Sequence, residues 1–368
     1  MKVFREDTEK EFWKILNEKS RHLFVVCGKS CKRLDIIKNL SLIDAKITLF
    51  DDFKSNPVYE EVVLGTKKFI NENCNTILAI GGGSAIDVAK CIKLFAAMDI
   101  HKDYIMQIKE NSIVYSNIDF FVIPTTAGTG SEATGFAAIY KNGIKQSISH
   151  ESLIPFCVLL YSPVLEMLPE YQRKVTMLDA LCHGIESFWS INSTNESREL
   201  SARAIKMIVD NMEDYLANTK AGNKNMLEAA HIAGQAINIA KTTAAHAMSY
   251  KLTLLYKIAH GHAAAICLPV VWKYMLDCSE RCVDIRGIGF VKKIFMNIAN
   301  AMDCADCNMA ISFLEQLLVR LQLKTPVITE QHLKELVCSV NYDRLNNSPI
   351  SLQENDIRKM YGIVGKGL

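Results

Sequence analysis

TILAIGGGSAIDVAKCIKLF, residues 76–95, is the stretch whose reading decides the fold. TILAI is a short apolar run of strand type, three glycines follow it at once, and an amphipathic segment with helical spacing opens directly after them. That order reads as strand, tight turn, helix. Glycines at such a turn let backbone N–H groups come close to a phosphate, and a helix N-terminus adds partial positive charge there. The turn departs from G-x-G-x-x-G, and a turn needed only for packing would use the same glycines. Asp87 fits either a favourable acid in the first helical turn or a cofactor contact.

Outward from this stretch the same alternation continues. LFVVC at 23–27, ITLF at 47–50 and FFVIP at 120–124 read as further buried strands, with KRLDIIKNL and PVYEEVVLGTKKFINE as helices between them. Buried strands alternating with helices imply a mostly parallel sheet covered on both faces, an α/β domain. In GFAAIYKNGIKQSISHESLIPFCVLLYSP the Asn142-Gly143 pair signals a hairpin followed by a returning strand. After about Leu168 helical periods take over, and Ser193 with Glu196 fits a capping box opening one of these helices. The expected architecture is an α/β domain over residues 1–168 and an all-helical domain over 169–368.

The chain has 368 residues, enough for two cores, with 42 Lys and Arg against 40 Asp and Glu. A net charge of +2 without a basic stripe excludes a nucleic-acid backbone as the natural partner. No apolar run reaches the ~20 residues that span a bilayer. MKVFREDTEKEFWK carries charge where a signal peptide needs apolar residues, and twelve scattered cysteines form no disulfide framework, so a cytoplasmic protein is expected. Its partners should be small molecules, together with copies of itself in a homo-oligomer.

Two further clusters carry chemistry. IPTTAGTGSEAT, residues 123–134, ends a strand in a loop of hydroxyls and exposed amides, the edge at which open α/β sheets bind ligands. Asp179 and His183 stand four apart on one helix face, with His246 and His260 following. Three imidazoles and a carboxylate suit Fe(II) or Zn(II) and leave about one net positive charge for Lewis-acid work. A lone Asp-x-x-x-His pair is also ordinary surface helix chemistry.

GGGSAIDVAK, IPTTAGTGSEAT, LDALCHGIES and HGHAAAICLP, taken in this order and spacing, resemble the successive signatures of the iron-dependent (group III) alcohol dehydrogenase family. The resemblance runs over roughly residues 20–280. It implies a dinucleotide-binding domain, an all-helical metal-binding domain, catalysis in the cleft between them, and NADPH or NADH as cofactor. Carried over by position, the metal ligands fall on Asp179, His183, His246 and His260. The nucleotide contacts fall on Gly82, Gly83, Ser84, Asp87, Thr125 and Thr126, with Lys145 in the hairpin.

Three departures from the family pattern bear on specificity. Where many members carry a histidine four residues after the third ligand, this chain has Tyr250, a candidate proton donor or a pocket wall. The acid that disfavours a 2′-phosphate in NAD-preferring members is absent after the first strand of the alternation, and Lys29 stands in that turn, which favours NADPH. The segments KQSISHESLIP and TTAAHAMSYKLTLLYKIAHGHAAAICLP resemble the branch that reduces phosphonoacetaldehyde to 2-hydroxyethylphosphonate. An anionic substrate needs a cationic receptor, for which Lys251, His150 and His262 are candidates. The expected reaction is metal-dependent hydride transfer between NAD(P)H and a small aldehyde or alcohol. Its alternatives are a general short-chain alcohol or diol dehydrogenase, a glycerol-dehydrogenase or dehydroquinate-synthase relative, and a non-catalytic nucleotide-binding protein.

Overall fold

The apolar runs of the first 168 residues become strands, fully buried at the centre of the sheet, while ITLF lies at its edge with Leu49 exposed. In a computed structural model that describes residues 1–110 and 112–367, the strands are β1 (Lys2–Arg5), β2 (His22–Cys27), β3 (Lys46–Phe50), β4 (Thr76–Gly81), β5 (Asp119–Pro124), β6 (Phe136–Lys141), β7 (Ile144–Ser149) and β8 (Cys157–Leu160). Six of them form one parallel sheet in the order β1-β8-β5-β4-β2-β3. Every residue of β2, β4 and β8 is buried, as a sheet covered on both sides requires. β1 is an addition to the reading above, since four residues with two charges carry little strand signal.

The helices of this part are α1 (Glu9–Lys19), α2 (Tyr59–Asn71), α3 (Gly83–Phe95) and α4 (Tyr104–Lys109). KRLDIIKNL is not an α-helix. Leu34 lies extended and divides the stretch into two 3-10 turns, and the β-branched pair Ile36-Ile37 gives little helical preference to resist that break. β6 and β7 form a separate antiparallel hairpin, with Asn142 and Gly143 both at positive φ, the two-residue turn their sequence signals.

Met1–Thr126 and Gly130–Leu168 form one compact unit, and Ala127–Thr129 with Pro169–Leu368 a second. The second unit is built from α5 (Glu170–Trp189), α6 (Asn195–Leu216), α7 (Lys220–Ala240), α8 (Ala244–Tyr256), α9 (His260–Asp277), α10 (Ile288–Ala301), α11 (Cys307–Arg320), α12 (Glu330–Cys338), α13 (Tyr342–Leu345) and α14 (Glu354–Val364). α5 is its central element: every residue from Val175 to Trp189 is buried. α9 is buried without interruption from Gly261 to Trp272. A polar side chain inside such a segment must find partners within the protein or a ligand.

The capping box of α6 sits one residue later than its sequence suggests. Thr194 Oγ1 accepts from Ser197 N at 3.1 Å, and Ser197 Oγ accepts from Thr194 N at 2.9 Å. Ser193 is committed elsewhere, its carbonyl receiving Arg286 Nη1 at 2.7 Å and Arg198 Nη1 at 3.0 Å. The twelve cysteines are free thiols. Among the described residues no helix is long and apolar enough to cross a membrane.

Candidate metal and cofactor sites

Within the helical unit, α5, α8 and α9 bring Asp179, His246 and His260 together, one ligand atom from each lying within 4.8 Å of the others. Asp179 Oδ1 and His246 Nε2 face each other at 3.6 Å. Both atoms are buried and neither has a hydrogen-bond partner. Leaving a buried polar atom unsatisfied costs about 1–3 kcal/mol, so two aimed at one another mark a seat for something the protein itself does not supply. Donors about 2.1 Å from a tetrahedral ion stand about 3.4 Å apart, and the observed spacing fits. His183 is not in that group. Its ring stacks on His246 with centroids 4.5 Å apart and planes 19° from parallel.

The orientation of the three rings is set by what holds their Nδ1 atoms. His183 Nδ1 donates to Gly128 O at 3.3 Å, and His246 Nδ1 meets the Glu186 carboxylate. His260 Nδ1 lies 3.3 Å from Ser249 Oγ, which itself donates to His246 O at 2.8 Å and so has lone pairs to offer the ring. With each Nδ1 engaged by an acceptor, each Nε2 is left for coordination, the usual arrangement around metal-ligating histidines. Glu186 and Ser249 escaped the sequence reading. The available signal for Glu186 was an acid two helical turns after Asp179, within the apolar context of LDALCHGIESFW.

Burial opposes a charged ring at His246, but the Glu186 and Asp179 carboxylates outweigh it and lift its pKa to about 9. His183 is pulled down to about 4, burial exceeding the help it receives from Asp179. Burial would raise Asp179, yet the three histidines hold its carboxyl far below the usual range. In the ion-free protein His246 therefore keeps its proton below about pH 9, whereas coordination needs the neutral ring. Ion uptake must expel that proton. Apparent metal affinity is expected to climb by about tenfold per pH unit between about pH 7 and 9, where a ring titrating at about 6.5 would already have levelled off. Chelator competition across this range checks it, and a flat profile above neutrality contradicts it.

In the α/β unit, Gly82 is the N-cap of α3 in extended backbone, and Gly83 and Ser84 begin the helix. Their N–H groups belong to the first turn, which has no intrahelical acceptors to use. A Cβ on Gly82 would stand 3.1 Å from Thr126 Cγ2 and Oγ1, so the glycine turn and the Thr125-Thr126 loop adjoin closely. Asp87 is engaged within the protein, Oδ1 accepting from Ser131 Oγ at 2.7 Å and Oδ2 from Ala138 N at 3.0 Å. Lys145 lies close enough to Asp87 to lower its carboxyl electrostatically, against the larger upward effect of burial. Sequence gave no hint of Lys90, one helical turn beyond Asp87. Its ammonium is completely buried and lies within 3.2 Å of the carbonyl and hydroxyl oxygens of both Ser131 and Thr134 and of Phe136 O. One helix thus carries the glycine turn at its start and fastens the second loop from its middle.

The turn with Lys29 does have an acid beside it, from another strand. Asp51, just past β3, pairs with Lys32 at 2.5 Å and is held below its ordinary pKa chiefly by that lysine, with a smaller contribution from Lys29. The substrate candidates are committed as well: Lys251 pairs with Glu335 at 2.5 Å, and His150 Nδ1 lies 2.7 Å from Ser152 Oγ. His262 Nδ1 lies 3.1 Å from Tyr171 OH, leaving a buried Nε2 that lacks a hydrogen-bond partner. Tyr250 lies parallel to His260 at 5.4 Å, with the Arg344 guanidinium 5.2 Å from its ring centre. Burial raises the Tyr250 hydroxyl above its ordinary pKa, with Arg344 pulling the other way.

Residues 2–162 match the family described as iron-containing alcohol dehydrogenase, and residues 174–363 match the C-terminal part of the Fe-containing alcohol dehydrogenase family. The chain is 30% identical to a phosphonoacetaldehyde reductase of Streptomyces viridochromogenes over 77% of its own length and 75% of the relative's. It is 29% identical to a probable alcohol dehydrogenase, EutG, of Escherichia coli over 71% of its length and 68% of that protein's. Among solved structures, a sulfoacetaldehyde reductase of Bifidobacterium kashiwanohense in complex with NAD+ superposes with a TM-score of 0.87 at 23% identity, covering 99% of this chain and 97% of that one.

Proposed function

The chain belongs to the iron-containing alcohol dehydrogenase family and is an alcohol and aldehyde oxidoreductase, and on that premise we propose that it reduces phosphonoacetaldehyde to 2-hydroxyethylphosphonate with NADPH. The observation that carries the chemistry is the set of three histidines whose Nδ1 atoms are engaged, beside the unpaired Asp179 Oδ1 and His246 Nε2. When bound, a divalent metal supplies Lewis-acid polarisation of a carbonyl oxygen and a nicotinamide nucleotide supplies the hydride. Asp179, His246 and His260 would hold the metal, with His183, neutral at working pH and stacked on His246, as the fourth ligand.

The chain's other residues bind and orient. Gly82, Gly83 and Ser84 offer first-turn N–H groups to the nucleotide diphosphate, with Thr125 and Thr126 hydrogen-bonding beyond it. Asp87, which holds the same loop through Ser131, and Lys145, electrostatically beside it, are the further proposed nucleotide contacts. Tyr250, whose raised pKa keeps its proton in place at neutral pH, would donate that proton to the substrate oxygen. Lys29 and Lys32 outnumber Asp51 at the turn and receive the 2′-phosphate. The phosphonoacetaldehyde relative supports the anionic substrate, for which Lys251, His150 and His262 stay the proposed receptors.

A second reading is favoured by a specific observation. Lys251 already holds Glu335, and His150 already caps its own turn through Ser152, so a neutral short-chain aldehyde would meet no loss of ion pairing. The EutG relative is consistent with that alternative.

Both readings are separated by following NADPH and NADH oxidation after loading with Fe(II) or Zn(II), using phosphonoacetaldehyde, propanal and lactaldehyde. The expected result is metal-dependent turnover, kcat/KM for phosphonoacetaldehyde above propanal by about tenfold or more, and an NADPH preference that falls by about tenfold in Lys29→Ala, the scale of one lost charge-assisted contact. Preference for propanal selects the second reading. Preference for NADH removes the cofactor assignment, and no oxidation with any aldehyde removes both readings.

A further inference from the structure

α8 starts in an unusual way. Its N-cap residue, Thr243, has a hydroxyl that could cap the helix yet makes no such bond. It donates instead to Glu186 Oε1 at 2.6 Å, while accepting from Trp189 Nε1 at 2.8 Å. The same Glu186 oxygen accepts from Thr243 N at 3.1 Å, Ala245 N at 3.0 Å and His246 N at 3.4 Å. The N–H groups of Ala245 and His246 are the ones an N-cap side chain ordinarily satisfies. A carboxylate from α5 therefore serves as the cap of α8, and its charge complements the positive end of that helix. The second oxygen, Oε2, meets His246 Nδ1. Glu186 is completely buried, so neither oxygen is shared with solvent.

We infer that Glu186 is the positioning residue of the metal centre: one oxygen fixes where the helix carrying His246 begins, and the other fixes which nitrogen of that ring faces the ion. This rests on the reading of His246 as a ligand through Nε2. Glu186 is three residues after His183 and seven after Asp179 on the same buried helix. A single helix thus carries two of the proposed ligands, Asp179 and His183, and the group that aims a third on another helix. A purely structural cap needs only an acceptor oxygen at Oε1. Orientation of the ring needs an acceptor at Oε2 as well, and this difference separates the two roles.

Glu186→Gln makes the distinction. The amide oxygen can still receive the α8 N–H groups, while the amide nitrogen presents a donor to His246 Nδ1, which favours the ring form with its proton on Nε2. The readouts are Zn(II) dissociation constants from chelator competition, 15N shifts of the His246 ring in the Zn(II)-loaded protein, and the denaturant midpoint. Expected are a midpoint close to wild type, Zn(II) binding weaker by about 10–100-fold, and loss of the hydrogen-bonded Nδ1–H signal that wild type shows. Glu186→Ala, which removes both oxygens, should lower the midpoint and metal affinity together. Wild-type affinity with an unchanged ring signal in Glu186→Gln overturns the inference and leaves the metal site standing. Wild-type protein that takes up no Zn(II), or a His246→Ala variant that takes it up equally well, overturns the metal site and the inference with it.

Discussion

His260→Ala is expected to abolish stoichiometric metal binding and lower turnover by about three orders of magnitude or more, while the α/β unit stays folded. A bound metal is worth several kcal/mol of charge stabilisation at a carbonyl oxygen, and each 1.36 kcal/mol is a factor of ten in rate. His260 is the first residue of α9 and is only partly buried, so its truncation opens no core cavity. What goes is one of the four proposed ligands, a ring that stacks on Tyr250 and meets His246 edge-on at 5.3 Å. Asp179, His183 and His246 remain, but three donors hold a divalent ion less firmly than four. Metal content by atomic absorption, NADPH oxidation, and circular dichroism of the variant check this together. Metal retained at one ion per chain with more than a tenth of wild-type turnover would remove His260 from the ligand set.

The parallel sheet was legible because its signals are local. In TILAI a short apolar run meets three glycines at once, which marks strand and turn from one segment, and the Asn142-Gly143 turn needs only its own two residues at positive φ. Asp179 and His183 were legible for the same reason, helical spacing being a property of one segment. Glu186, Lys90 and Ser249 were not. Each takes its role from atoms brought in by other elements: Glu186 from the start of α8, Lys90 from the loop at Ser131–Phe136, and Ser249 from the ring of His260. A lysine at the middle of an amphipathic helix ordinarily snorkels to solvent, and only the loop folded over α3 makes Lys90 an internal fastener. Asp51 shows the same limit in reverse. The turn after β2 lacks an acid in sequence, yet the neighbouring strand delivers one to it.

Gly261→Ala is the second large effect, and it follows from how closely α9 approaches α5. A Cβ at this position would lie 2.1 Å from Val175 O and 2.7 Å from Asp179 Cβ, distances at which something must move. The first obstacle is backbone in the second turn of α5, where its buried run begins, with no rotamer to turn away. The second is the β-carbon of a proposed ligand, and the substituted residue is the chain neighbour of another. Relief requires α9 to withdraw from α5, which moves His260 away from Asp179. Overpacking a well-filled core typically costs about 1–3 kcal/mol, and a contact this short against main chain belongs at or beyond the upper end. The same change at Gly362 in α14, where a Cβ meets nothing within 4 Å, should instead stabilise by about 0.4–1 kcal/mol, because alanine has less conformational freedom to lose on folding. Opposite signs are therefore expected in the denaturant midpoint of the two variants. Metal affinity should fall only in Gly261→Ala, because only there is the displaced backbone the one that sets the ligand spacing. A Gly261→Ala protein with wild-type stability and metal affinity would mean that the two helices can separate without disturbing the site. Asp179 and His260 would then owe their approach to the ion and not to the packing of α5 against α9.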